Sequence, residues 1–157
     1  MLGQMIETPL LISSLLTHAE RNHPEREIVS RRVEGALHRY SYRGLGRRAR
    51  QMANALKAHG IKPGDRVATL AWNGYRHMEL YYAVSGSGAV LHTINPRLHA
   101  DQILWMLEHS GARVLFFDLT FMPLIEQIAA RATQIEAFVA RPHQPATGAA
   151  VEAAGQP

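Results

Sequence analysis

At 157 residues the chain is long enough for one domain, and a fold of that size buries about 70% of the surface its unfolded chain exposes. Hydrophobic residues make up 46% and charged residues 19%, a globular composition that excludes wholesale disorder. The net charge of +4 is too small to imply nucleic acid by itself, and the absence of cysteine excludes disulfides, thiolate zinc sites, iron–sulfur clusters and cysteine nucleophiles.

Residues 10–22 carry Leu11, Leu15, Leu16 and Ala19 at helical spacing and stop before Pro24. This apolar start is not read as a signal peptide: Glu7 stands where Lys or Arg is wanted, and no small-residue cleavage site follows. No apolar run approaches the ~20 residues of a membrane span, so the expected location is the cytoplasm. Segments 27–31 and 36–40 read as two strands of a hairpin turning at Glu34-Gly35. A long helix follows, capped by Ser41, with Leu45, Ala49, Met52, Ala53 and Leu56 as its apolar stripe and Gly60 at its end.

Lys62-Pro63-Gly64-Asp65 is turn chemistry that delivers the chain into a strand over 66–72. A helix over 75–85, a strand over 89–94, a helix over 101–109 stopped by Gly111, and a strand over 113–118 come next. A helix over 121–132 and a strand over 136–140 complete the pattern. Strands alternating with helices, the strands continuously apolar, predict an α/β fold with a parallel sheet flanked by helices. Beyond Ala140 the residues 141–157 hold five Ala, three Pro and two Gly around Val151, too little apolar surface to repay ordering. The expectation is an ordered region over 8–140 and a disordered tail.

The search for chemistry yields little. The histidines show no HxxxH or HExxH spacing that would hold a metal. Ser85-Gly86-Ser87-Gly88 runs from helix to strand, opposite to the polarity of a phosphate loop, and reads as close packing. Neither Lys57 nor Lys62 sits in a glycine-rich loop. Arg43, Arg47, Arg48 and Arg50 read as a solvated helix face, with no interleaved aromatics to stack bases. Asn73, His92, Asn95 and Arg97 fall near the carboxyl ends of what read as the two central strands, where open sheets bind ligands. Turn capping and inter-loop hydrogen bonds are the favoured reading of the same four residues.

Several segments resemble a known family. Arg26-Glu27-Ile28-Val29-Ser30, Tyr40-Ser41-Tyr42, and Ala53-Asn54-Ala55-Leu56 leading to Pro63-Gly64-Asp65-Arg66-Val67-Ala68 are similar to the amino-terminal region of fatty-acyl-CoA synthetases. Those enzymes belong to the adenylate-forming, AMP-dependent synthetase and ligase superfamily. The stretch from Gly88-Ala89-Val90 through Leu91-His92-Thr93-Ile94-Asn95-Pro96-Arg97-Leu98 resembles the medium- and long-chain fatty-acid branch, and the likeness runs from about Thr8 to Ala140. The chain departs from the family at Gly44, where a capping-box glutamate is usual, at His99-Ala100-Asp101, where Ser-Pro-Glu is usual, and at Ser85, where proline is common. The first two changes are expected to weaken helix starts.

The resemblance implies the amino-terminal portion of the adenylate-forming fold. It also implies an activity for the full-length family: a fatty acid is activated with ATP and magnesium to an acyl-adenylate, then passed to coenzyme A. The family's phosphate loop, adenine motifs, magnesium-binding glutamate and catalytic lysine lie downstream of the matched region and have no counterpart here. No catalytic, cofactor-binding or metal-binding residue is therefore assigned.

The expectation is a truncated, inactive fatty-acyl-CoA ligase; the alternatives are a non-catalytic module that pairs with a full-length synthetase and, disfavoured by the resemblance, a small basic nucleic-acid-binding domain. Met78, Leu80, Tyr81, Tyr82, Leu104, Trp105 and Leu107 are expected to leave apolar surface uncovered and to drive self-association or pairing with a ligase partner.

Overall fold

The computed structural model describes residues 8–33 and 35–141. Helix α1 (Ile12–Asn22) precedes a hairpin of β1 (Glu27–Arg31) and β2 (Leu37–Ser41), and α2 (Tyr42–Ala58) follows. Then come β3 (Arg66–Leu70), α3 (Tyr75–Gly86), β4 (Val90–Ile94), α4 (Ala100–Ser110) and β5 (Val114–Asp118). A 3-10 turn (Leu119–Phe121), α5 (Met122–Ile128) and β6 (Ala137–Arg141) complete the order. The hairpin is antiparallel, and the other four strands form one parallel sheet in the order β4-β3-β5-β6.

A parallel sheet needs cover on both faces, and alternation along β3 and β5 supplies two apolar surfaces. Ala68, Leu70, Leu115 and Phe117 pack with Ile103, Leu104 and Leu107 of α4 and Ile125 and Ile128 of α5. Val67, Val114 and Phe116 pack with Leu56 of α2 and Leu80, Ala83 and Val84 of α3. Helix α1 lies outside this second layer, where Leu16 meets Leu45 and Ala49 of α2 beside Ile28, Tyr40, Met78 and Tyr82.

The helix ends follow local chemistry. Ser41 Oγ accepts the Gly44 N–H at 3.3 Å. At α4 the departure from Ser-Pro-Glu does not weaken the start: His99 Nδ1 accepts from Asp101 N–H and Gln102 Oε1 accepts from His99 N–H, a capping box built from other residues. Gly111 ends that helix at φ 61°, and a Cβ there would sit 2.8 Å from Arg66 Nη2. The same guanidinium donates to the Ser110 and Gly111 carbonyls, so glycine at 111 serves both the left-handed turn and the close approach of Arg66. Gly88 takes φ 82° with Pro63 next to its Cα, in keeping with the packing reading of the Ser-Gly-Ser-Gly segment.

Several expected boundaries move. Strand β3 ends at Leu70 rather than Trp72, because the chain turns off the sheet to give the Trp72 N–H to Asp118 Oδ2 (2.8 Å). The expected helix over 121–132 is shorter, opening on the 3-10 turn and closing at Ile128. The last strand includes Arg141, paired with Asp118, which the sequence reading gave to the tail. Residues 142–157 and the turn residue Glu34 lie outside the described residues.

The expected uncovered surface also changes. Leu80, Leu104 and Leu107 are fully buried in the chain's own core, because both helices turn those positions onto the sheet. Tyr81 and Trp105 do stand outward, and Trp105 is 59% exposed with its ring stacked on His109. Leu107→Ala is expected to cost about 2–5 kcal/mol in urea unfolding. Trp105→Ala should stay within about 0.5 kcal/mol of the parent; equal losses would contradict this division of core from surface.

Candidate functional site

Strand β3 feeds α3 and then β4 on one side, whereas β5 returns to the other side of β3. The order therefore reverses between the carboxyl ends of β3 and β5, the place where an open α/β sheet leaves a crevice. A cleft of about 350 Å³ lies there. Its walls are the end of the hairpin (Arg31, Arg32, Val33), the β3–α3 segment from Trp72 to His77, and Asp118 at the end of β5.

Each wall is pinned. Buried Asp118 accepts the Trp72 N–H, and Trp72 Nε1–H donates to Thr120 Oγ1 at 3.0 Å while its ring lies against Phe121. Ser30 Oγ accepts the Tyr75 N–H, tying the hairpin to the first residue of α3. Beneath, His77 Nε2 and Thr69 Oγ1 share a buried hydrogen bond at 3.0 Å. Arg48 Nε donates to the buried Glu79 carboxylate, which closes α2 onto α3.

Of the four residues singled out from sequence, only Asn73 lines this cleft. The reading placed β4 at the centre of the sheet, and the structure corrects it: β3 and β5 are central and β4 is an edge strand. Asn95 Oδ1 accepts the Arg97 N–H at 3.0 Å, which is turn capping. His92 stays half-buried on the edge strand with Nδ1 unpartnered. The basic run on α2 is not a bare solvated face: Arg43, Arg48 and Arg50 pair with Glu25, Glu79 and Glu20. Trp72, Asp118, Arg31 and Arg32 were not singled out, since the crevice depends on strand order, which no local pattern encodes.

The cleft does not fit magnesium or a triphosphate. Asp118 is the single carboxylate in its lining, and it already accepts an amide. The Trp72 and Tyr75 N–H groups, which a phosphate at this strand–helix turn would need, are committed to Asp118 and Ser30.

A family profile described as AMP-binding enzyme matches residues 16–156. The chain belongs to the AMP-binding enzyme family. It is 50% identical over 139 residues to a 3-methylmercaptopropionyl-CoA ligase of Ruegeria lacuscaerulensis, covering 88% of this chain and 26% of that protein. It is 46% identical to a medium-chain-fatty-acid–CoA ligase of Ectopseudomonas oleovorans, covering 91% of this chain and 26% of that protein. The chain thus spans about a quarter of the length of these curated relatives. Among solved structures, the N-terminal domain of FACL13 from Mycobacterium tuberculosis superposes with a TM-score of 0.73 at 27% identity, over 83% of this chain and 33% of that one. A protein from Rhodopseudomonas palustris described as a putative long-chain-fatty-acid CoA ligase gives 0.74 at 25% identity, over 87% of this chain and 34% of that one. The family member's sheet and helices are those of an acyl-CoA ligase N-terminal domain, as the resemblance implied. Among the described residues no helix is long and apolar enough to cross a membrane.

Beside the cleft, His38 stacks on Tyr75 with ring centroids 3.7 Å apart and lies against Tyr40. Burial first, then the Arg32, Arg48 and Arg76 guanidiniums, hold its imidazole below the ordinary histidine range. Burial alone lowers His92, and burial followed by the Glu79 charge raises the Tyr40 phenol above its usual value. A histidine kept neutral in the fold binds fewer protons than in the unfolded chain, so stability falls as pH drops from about 6.5 towards the lowered value His38 has in the fold. Between pH 7.5 and 5.5 the urea midpoint should fall, and should fall less in His38→Gln. An equal fall in both proteins would contradict this assignment.

Proposed function

We propose that this chain provides the amino-terminal α/β portion of an acyl-CoA ligase and does not catalyse the reaction alone. The observation that carries the proposal is the pairing of 46–50% identity to CoA ligases with coverage of only 26% of their length. The full-length reaction would take a carboxylic acid, ATP and coenzyme A through an acyl-adenylate. Acyl transfer of that kind needs groups that hold the phosphates and neutralise developing charge. The cleft at the ends of β3 and β5 supplies neither a free amide cradle nor a pair of carboxylates. What this portion contributes is a rigid wall: buried Asp118 and Thr69, the Arg48–Glu79 pair and the docked hairpin fix the β3–α3 turn.

The test is exchange of labelled pyrophosphate into ATP with magnesium and either octanoate or 3-methylmercaptopropionate, acids of the kinds the relatives' names indicate. The purified chain should give no exchange above a heat-denatured control. Exchange above that control, with either acid, would contradict inactivity of this portion.

A further inference from the structure

We propose that the junction between the hairpin and α3 is a proton-sensitive joint. It holds while the His38 imidazole is neutral and loosens when that ring takes up a proton, at a lower cost than opening the parallel sheet. The inference is independent of the ligase reading.

The hairpin shares no ladder with the parallel sheet, so its inner face carries the attachment. Alternation puts Ile28 and Ser30 of β1 and His38 and Tyr40 of β2 on that face, as the cross-strand pairs Ile28–Tyr40 and Ser30–His38. The first pair packs into the apolar cluster of Leu16, Leu45 and Ala49. The second pair meets Tyr75 at the start of α3. Ser30 Oγ accepts the Tyr75 N–H at 3.0 Å, and the His38 ring stacks on the Tyr75 ring at 3.7 Å and 19°. One half of the hairpin is thus held by apolar burial, and the half that continues into Arg31 and Arg32 of the cleft wall is held at Tyr75.

That second attachment needs a neutral ring. Arg32 Nη2 lies 3.3 Å from His38 Nδ1, and a guanidinium can only donate, so Nδ1 accepts and the ring proton sits on Nε2. Nε2 is buried with no partner, as are Arg32 Nε and the Tyr40 hydroxyl. These three atoms are desolvated but unpaired, the setting in which a new charge costs most. A second ring proton would set Nδ1–H against the Arg32 N–H and place a cation among guanidiniums from three elements. Those are Arg32 after β1, Arg48 of α2 and Arg76 of α3, whose Cζ lies 5.0 Å from the Tyr75 centroid. Glu79 of α3 also faces the junction, where its charge acts on Tyr40, and it is engaged by Arg48. Opening the joint lets the imidazolium reach water, and protonation therefore favours the open form.

The Tyr75 amide is the natural reporter, because the first N–H of a helix has no partner within the helix and this one depends on Ser30. Its hydrogen exchange is followed by NMR on the chain and corrected for the intrinsic pH dependence of an unstructured amide. One proton taken up per opening by a group of ordinary pKa limits the effect to about tenfold, so Tyr75 protection should fall about three- to tenfold from pH 7.5 to 5.5. The rate should be nearly independent of dilute urea, as a local opening exposes little surface, whereas the amides of 67–70 should respond steeply. His38→Gln should abolish the pH response, and His92→Gln on β4 should leave it intact. In the same samples the His38 ring should titrate below the ordinary histidine range, and Arg32→Gln should move its midpoint upward. An equal pH response in His38→Gln, or a Tyr75 amide that shares the rate and urea slope of 67–70, overturns the joint. So does an unprotected Tyr75 amide at pH 7.5, or an ordinary His38 midpoint that Arg32→Gln does not move.

Discussion

Strand β3 is paired on both sides and covered on both faces, and the remainder of the molecule is arranged around that constraint. Val67, Ala68, Thr69 and Leu70 are each at most 1% exposed, and each of the four is in register with a residue of β4 and one of β5. A strand so enclosed must place its neighbours' connections on opposite faces: α3 leads to β4 on one side, and α4 leads back across to β5 on the other. The crevice between the carboxyl ends of β3 and β5 is the geometric remainder of that choice. Even the early exit of the chain at Trp72 follows from it, since the amide freed from the sheet finds the Asp118 carboxylate one strand away.

Much of this was legible in the sequence, and for physical reasons. Continuous apolar runs such as Val114–Asp118 announce a strand buried on both faces, and the Ser41 cap and Gly111 stop mark helix ends through local hydrogen bonding and φ alone. The family resemblance, carried by the segments from Arg26 to Leu98, agrees with the matched profile over residues 16–156. What was not legible depends on contacts distant in sequence. Strand order decides that β4 is an edge, so His92, Asn95 and Arg97 lie away from the crevice where a local reading had gathered them with Asn73. Likewise Leu80, Leu104 and Leu107 looked like surplus apolar surface on their own helices, and only the two-sided packing shows them to be core.

Polar groups around the cleft hold its walls in place. Its polar groups are consumed in holding the hairpin, α3 and β5 together, as the Ser30 bond to Tyr75 and the Asp118 bond to Trp72 show. Beside that frame the cleft is lined by Val33, Trp72, Asn73, Arg31, Arg32 and Arg76. That division of labour is coherent with a chain that matches a quarter of each curated ligase relative and a third of a solved N-terminal domain.

Amide hydrogen exchange on the isolated chain tests the enclosed β3 and the open crevice together. Amides of 67–70 and 114–117 should exchange only with global unfolding. Along 90–94 slow and fast amides should alternate, because an edge strand bonds to one neighbour and leaves its outward N–H groups to water. Uniform protection across 90–94, as slow as in β3, would mean that a second strand covers β4. An account in which β3 is the enclosed centre and β4 an open edge would then be contradicted.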